Sequence, residues 1–329
     1  MVGMTRKSAV AVALNLALIF IIAWIFSGYL RYALTSPPSF DGAVNLETAL
    51  SFMKGQGYGI FYDIFYPFPA QTDGPLILPA SILMRLGGVN PLTAQGVNLA
   101  YLFGTALAAF LLFRSLTGST TVALAGAVVL LRTPGLFPYS MGGYGEIPTL
   151  FWMLCSLNIL APTLDAGPPS GARLALGGGA LALCYLTKTV GVMLVVPTLI
   201  VFASAFFLRH GRKSERITWL FIGLALPVLS WEAFRLIEIG SWRGYRDWWR
   251  LQFGQTLLQS GTTETLYGHR GLIAKGIEHL NMLGRQVGTP PILATGRPEN
   301  RARTGAFHHP KPKSVAPAGS SRMVFASGI

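Results

Sequence analysis

Four side chains stand where an apolar run meets a polar segment, and together they offer acid–base and anion-binding chemistry. Asp41 follows two prolines in Ser39-Phe40-Asp41-Gly42-Ala43-Val44-Asn45-Leu46, and Asp73 sits in Gln71-Thr72-Asp73-Gly74-Pro75. Glu146 ends Met141-Gly142-Gly143-Tyr144-Gly145-Glu146, and Lys188 lies in Leu186-Thr187-Lys188-Thr189. A carboxylate so placed can take a proton from a hydroxyl nucleophile, and an ammonium can hold a departing phosphate. Each also has a plainer reading. Asp41 suits the N-cap of a helix, Asp73 a Gly-Pro turn, Glu146 the positive end of a helix dipole, and Lys188 a cation snorkelling from a span end.

The elements that must position these groups are membrane helices. Of 329 residues, 51% are hydrophobic and only 12% charged, about half the charged share of a soluble domain. Ser8 to Leu30 contains no charge and is long enough to cross a hydrocarbon core of about 30 Å. That run leads into Tyr29-Leu30-Arg31-Tyr32 rather than a small-residue cleavage site, so it reads as an uncleaved span. Further spans read at 94–113, 120–133, 148–164, 174–187, 190–208 and 217–239. The expected fold is therefore all-α, a polytopic membrane helix bundle of about seven spans. Its long first outer loop, 31–93, carries amphipathic juxtamembrane helices, with Leu46, Ala49, Leu50 and Met53 on one helical face.

Orientation follows from the basic residues. Pro75 to Leu86 is apolar but short for a span, and reads as a helix lying on or dipping into the membrane. With that run left out and the amino terminus in the cytoplasm, Arg114, Arg173 and the Arg209–Arg216 cluster all face inward, as the positive-inside rule requires. Counting it as a span turns all three outward. The chosen arrangement puts Asp41, Glu47, Asp63, Asp73 and Glu146 in outer loops and Lys188 at the outer end of the fifth span. Trp242, Trp248 and Trp249, just past the last span, then suit an interfacial aromatic belt.

The net charge of +13 belongs to these loops and to the last 45 residues, so it marks topology and not a nucleic-acid partner. From about Gly288 the chain is proline-rich and basic with no apolar run, the composition of a disordered tail. Its charge breaks the pattern kept elsewhere, and a truncated frame with an out-of-frame tail is the expectation. Cys155 and Cys184 lie inside apolar runs and read as packing residues.

Taken in order, these segments resemble a known family. Phe-Asp-Gly-Ala-x-Asn-Leu-x-x-Ala, then Lys-Gly-x-Gly-Tyr, then Gln-Thr-x-Gly-Pro before a short apolar helix, and Leu-Thr-Lys near the fifth span, look like the polytopic GT-C glycosyltransferases. The likeness is to the bacterial group similar to protein O-mannosyltransferases, aminoarabinose transferases and Rgt-type lipopolysaccharide sugar transferases. It covers about residues 8–250 and implies a glycosyltransferase-like domain over 1–287, incomplete at its C-terminal part, before the tail at 288–329. It also implies a bacterial inner-membrane enzyme that takes a sugar from a polyprenyl-phosphate donor to a glycan, lipid or protein acceptor on the outer face. Asp41 matches the acid acting on the acceptor; Glu146 matches a candidate acceptor or metal contact; Lys188 matches the cation for the leaving phosphate, and Asp73 lies in the substrate loop. Where many members carry a second acid, this chain has Gly42, which bears on any divalent metal, and metal use is left open. Two other readings stand beside this one. A transporter would place charges at mid-membrane with inverted repeats, which the sequence lacks. A truncated, inactive glycosyltransferase would share every motif.

Overall fold

The computed structural model describes residues 6–35, 38–61, 65–67, 72–133, 136–165, 170–211 and 214–260. The chain divides into Met1–Leu272 and Ile273–Ile329, and every described element belongs to the first unit. The boundary expected near residue 288 and the basic tail lie outside the described residues, as do Asp63 and Gln71.

The elements run α1 (Arg6–Thr35), α2 (Phe40–Met53), β1 (Gly59–Phe61), β2 (Phe65–Pro67), α3 (Gly74–Gly87), α4 (Pro91–Thr117), α5 (Thr120–Leu131), α6 (Leu136–Met141), α7 (Glu146–Leu160), α8 (Pro162–Asp165), α9 (Gly171–Thr187), α10 (Val192–His210), α11 (Thr218–Ile239) and α12 (Trp242–Ser260). The fold is an all-α membrane bundle. Every one of the seven expected spans is a helix, and five stretches among the described residues are long and apolar enough to cross a bilayer: Ala9–Thr35, Pro91–Thr117, Glu146–Leu164, Thr189–His210 and Thr218–Ile239. Helices α5 and α9 are apolar but have 12 and 17 residues. At a rise of 1.5 Å per residue, α5 alone reaches about 18 Å.

Large apolar side chains such as Phe20 and Trp24 of α1, Ile200 and Val201 of α10, and Leu226 and Leu229 of α11 point away from the protein, where lipid would cover them. Between helices the packing is close. A Cβ at Gly178 would come 2.0 Å from the Leu220 carbonyl oxygen, and one at Gly223 would come 2.0 Å from that of Ala175. These glycines let α9 and α11 approach backbone to backbone, as small residues do in membrane bundles. Cys184 is buried in the same layer beside Leu181 and Phe202, and both cysteines are free thiols.

Two features add to the expected picture. The aromatic stretch after Tyr58 forms a two-stranded antiparallel hairpin, pairing Gly59 with Pro67 and Phe61 with Phe65, as suits β-favouring aromatic and branched residues. Helix α3, expected at the membrane surface, buries Leu76, Ile77, Ala80 and Met84 against α2 and α4. Its 14 residues, with Pro79 inside, fall short of a span, and Ile82 and Leu86 on its other side stay exposed.

The bundle has two chemically distinct ends. At one, Arg173 Nε donates to the Ile159 carbonyl at 3.0 Å and Arg209 Nη1 to that of Leu164 at 2.5 Å, while a His210 ring nitrogen lies 3.3 Å from the Thr163 carbonyl. These groups meet carbonyls left open where α7 and α8 end, the negative pole of the dipole. The other end gathers the starts of α2, α3 and α7 with the ends of α9 and α11.

Candidate functional site

Ser39 builds the first wall of this end. Its hydroxyl oxygen accepts from the Gly42 amide at 3.1 Å, so Ser39, not Asp41, is the N-cap of α2. Its hydroxyl and amide both donate to the Gly142 carbonyl, at 2.6 and 3.2 Å. Gly42 is required here, because a Cβ would stand 1.8 Å from that same carbonyl oxygen. Asn45 Nδ2 then donates to the Gly143 carbonyl at 2.8 Å and to Thr72 Oγ1 at 3.2 Å. Three segments far apart in sequence are thereby stapled together. Asp41 occupies the first turn of α2 within this staple; its side chain lies outside the described residues.

Thr72 and Asp73 carry the wall to the next element, since the Asp73 amide donates to the Thr187 carbonyl at 3.2 Å. The α-carbon of Gly145 faces both Thr72 and Lys188, and an ideal Cβ there would lie 3.1 Å from the first and 3.3 Å from the second. Lys188 follows the last turn of α9 in extended backbone (φ −154°, ψ 131°), which turns its side chain off the helix axis. Its ammonium forms an ion pair with Glu146 Oε1, with the Tyr144 ring 6.0 Å away. Glu146 opens α7, so the helix dipole favours its charge. The pair is open to a ligand: the side chains are 26% and 34% exposed. Glu146 Oε2 is buried and has no hydrogen-bond partner among the described residues.

A second ionic group lies beside the first. Asp73 caps α3 by position but makes no capping bond; its carboxylate accepts instead from Arg235 Nη2 at 2.6 Å. Arg235 also pairs with Glu232, and its guanidinium lies over the Trp248 ring, 4.1 Å from the centroid, with Trp249 at 5.5 Å. Tyr245 donates to Glu232 Oε2 at 2.7 Å and Trp249 Nε1 to the same oxygen at 3.3 Å. The Arg235 side chain is 2% exposed. Burial pushes the Asp73 carboxyl up to about 6, against the pull of Arg235 and with the help of Glu232. Nearby, the Tyr58 amide donates to Glu238 Oε2 at 3.1 Å, and the Tyr58 ring meets Trp231 and Phe234 edge-on.

Of the residues singled out from sequence, Glu146 and Lys188 therefore touch. Asp73 stands one residue from Thr72 in the same wall but turns its carboxylate into the Arg235 group. Trp248 and Trp249, expected in an interfacial belt, face inward because Arg235 offers them a cation and Glu232 an acceptor. The importance of Arg235 was missed, although three charges at positions 232, 235 and 238 inside an apolar run were a visible signal. Among the described residues no group of three or more His, Cys, Asp or Glu side chains could hold a metal ion. The two best-placed carboxylates, Glu146 and Asp73, each already face a cation.

No protein-family model, no curated protein and no solved structure matches the chain, which leaves the geometry of this end as the ground for a functional reading.

Proposed function

We propose that this chain is a membrane glycosyltransferase that moves a sugar from a polyprenyl-phosphate donor to an acceptor hydroxyl on the outer face of a bacterial inner membrane. One observation carries the reading: the part-exposed Glu146–Lys188 pair sits against Thr72, whose hydroxyl is held by Asn45 of the helix that carries Asp41. On this reading the helix that carries Asp41 and the Lys188 ammonium belong to one wall at one end of the bundle.

In the proposed reaction Asp41 takes the proton of the acceptor hydroxyl as its oxygen bonds to the anomeric carbon. The bond from that carbon to the phosphate oxygen breaks, and its electron pair leaves with polyprenyl phosphate. Lys188 meets the charge that develops on the phosphate, exchanging part of its contact with Glu146 for the leaving group. Glu146 holds Lys188 between turnovers and accepts from the incoming acceptor. Asp73 positions Thr72 and the start of α3 while remaining bound to Arg235.

The sidedness of the proposal follows the positive-inside rule. On the proposed topology Arg114, Arg173 and Arg209 lie at the cytoplasmic end with the amino terminus, and the short apolar helices α5 and α9 are counted with the five long ones as seven crossings. The test is sugar transfer from a labelled polyprenyl-phosphate donor by membranes containing the full chain. Asp41→Asn abolishes it; full activity in a normally expressed Asp41→Asn variant contradicts the assignment. Solute uptake into proteoliposomes without sugar transfer would replace the proposal with a transporter.

A further inference from the structure

Only Gly240 and Ser241 separate helix α12 from α11, one of the five helices able to cross a bilayer, so a spanning α11 would bring the start of α12 to a membrane surface. Gly240, in the left-handed region at φ +75°, makes the corner, and the Ser241 hydroxyl accepts from the Gly244 amide at 3.1 Å to start the new helix. The inner face is locked. Trp248 lies under Arg235, while Tyr245 and Trp249 both donate to Glu232. That lock fixes the roll of α12 about its axis and therefore what its opposite face presents.

The opposite face carries Arg243, Arg246, Asp247 and Arg250, which share one side of a helix at this spacing. The arginine side chains are 87%, 53% and 70% exposed. Asp247 lies between 3.6 and 4.0 Å from all three and offsets only one of them. Trp242, 67% exposed, stacks on Tyr245 at the start of the helix. α12 has no lysine, and the arginine fork matches the two oxygens of a phosphate in a way a lysine ammonium does not.

We propose that this stripe is a docking surface for anionic phospholipid headgroups, whose phosphates are held by Arg243, Arg246 and Arg250 while Trp242 sits in the interface. Charge complementarity argues for this occupant, as does the covalent link to a membrane-crossing helix. The consequence is that lipid headgroups brace α12, and α12 in turn holds Arg235 and Asp73. The inference rests on the membrane fold and not on sugar transfer, so the two stand or fall separately.

The test places the full chain in nanodiscs of mixed phosphatidylcholine and phosphatidylglycerol and measures, with spin-labelled lipids, the preference of the protein surface for phosphatidylglycerol. The wild-type chain prefers it, and the preference falls with added salt. R243Q/R246Q/R250Q lowers it, by up to about fivefold for each arginine removed. D247N raises it, because a competing carboxylate is gone. An unchanged preference in both variants overturns the proposal. A triple variant that keeps the preference but loses self-cross-linking also overturns it, and assigns the stripe to a second copy of the chain.

Discussion

The two ionic groups at the site end sit side by side and differ in almost every physical respect. The Asp73–Arg235–Glu232 group is buried, and its guanidinium pairs with two carboxylates and lies over two indole rings. The Glu146–Lys188 group is a single pair, a quarter to a third exposed, with one carboxylate oxygen lacking a partner. A buried ion cluster cannot give up a member without leaving an uncompensated charge. An exposed pair loses little when its partners separate and can admit a phosphate between them. The first group therefore reads as the brace, and the proposed chemistry is assigned to the second.

The sharpest way to break this contrast is to remove the centre of the brace. Arg235→Met leaves Asp73 and Glu232 facing each other without a cation and is expected to cost about 3–5 kcal/mol of stability. Thermal unfolding of the full chain in detergent would show it, and Arg235→Lys would recover only part, since a lysine cannot span both carboxylates and stack on Trp248. The staple between α2 and the Gly142–Gly143 turn comes next. Gly42→Ala forces a Cβ against the Gly142 carbonyl oxygen, 1.8 Å away unless the backbone moves. The expected loss is about 1–3 kcal/mol, with a fall in transfer because Asp41 shifts with the backbone.

A pH-dependent effect comes from the titration of Asp73. Its carboxyl is raised from 3.8 to about 6 by burial, so the folded state holds the proton more tightly than the unfolded chain. The resulting stabilisation is complete below pH 3.8 and is lost as pH rises to about 6. Asp73→Asn removes this dependence. The difference in unfolding temperature between wild type and variant should therefore change across that window and stay flat above it. The smallest stability effect belongs to the open pair: Glu146→Gln should cost less than about 1 kcal/mol, as exposed pairs do. A loss as large as that of Arg235→Met would erase the distinction between brace and site.

The bundle was legible because membrane helices announce themselves by unbroken apolar runs, and α1, α4, α7, α10 and α11 lie where the hydropathy put them. Glu146 and Lys188 were also legible, each as a charge at the end of a run. Their contact was open to inference only through topology, which set both at one membrane face. The bond from Asp73 to Arg235 links positions 162 residues apart, and no local pattern encodes it. Arg235 itself sat in a span read mainly for its apolar residues. The inward turn of Trp248 and Trp249 depends on that arginine, so one missed charge hid two aromatic contacts. Ser39 took the capping role assigned to Asp41 because its hydroxyl could serve the Gly42 amide and the Gly142 carbonyl at once.

The most direct test of the central claim is transfer of labelled sugar from a polyprenyl-phosphate donor by membranes bearing wild-type or Lys188→Ala chains at equal abundance. The predicted result is a fall of about 10²–10³ in turnover, the usual cost of losing one group that meets developing charge, with the unfolding temperature little changed. Undiminished transfer in Lys188→Ala, or no transfer by the wild-type chain from any polyprenyl-phosphate sugar, would contradict it.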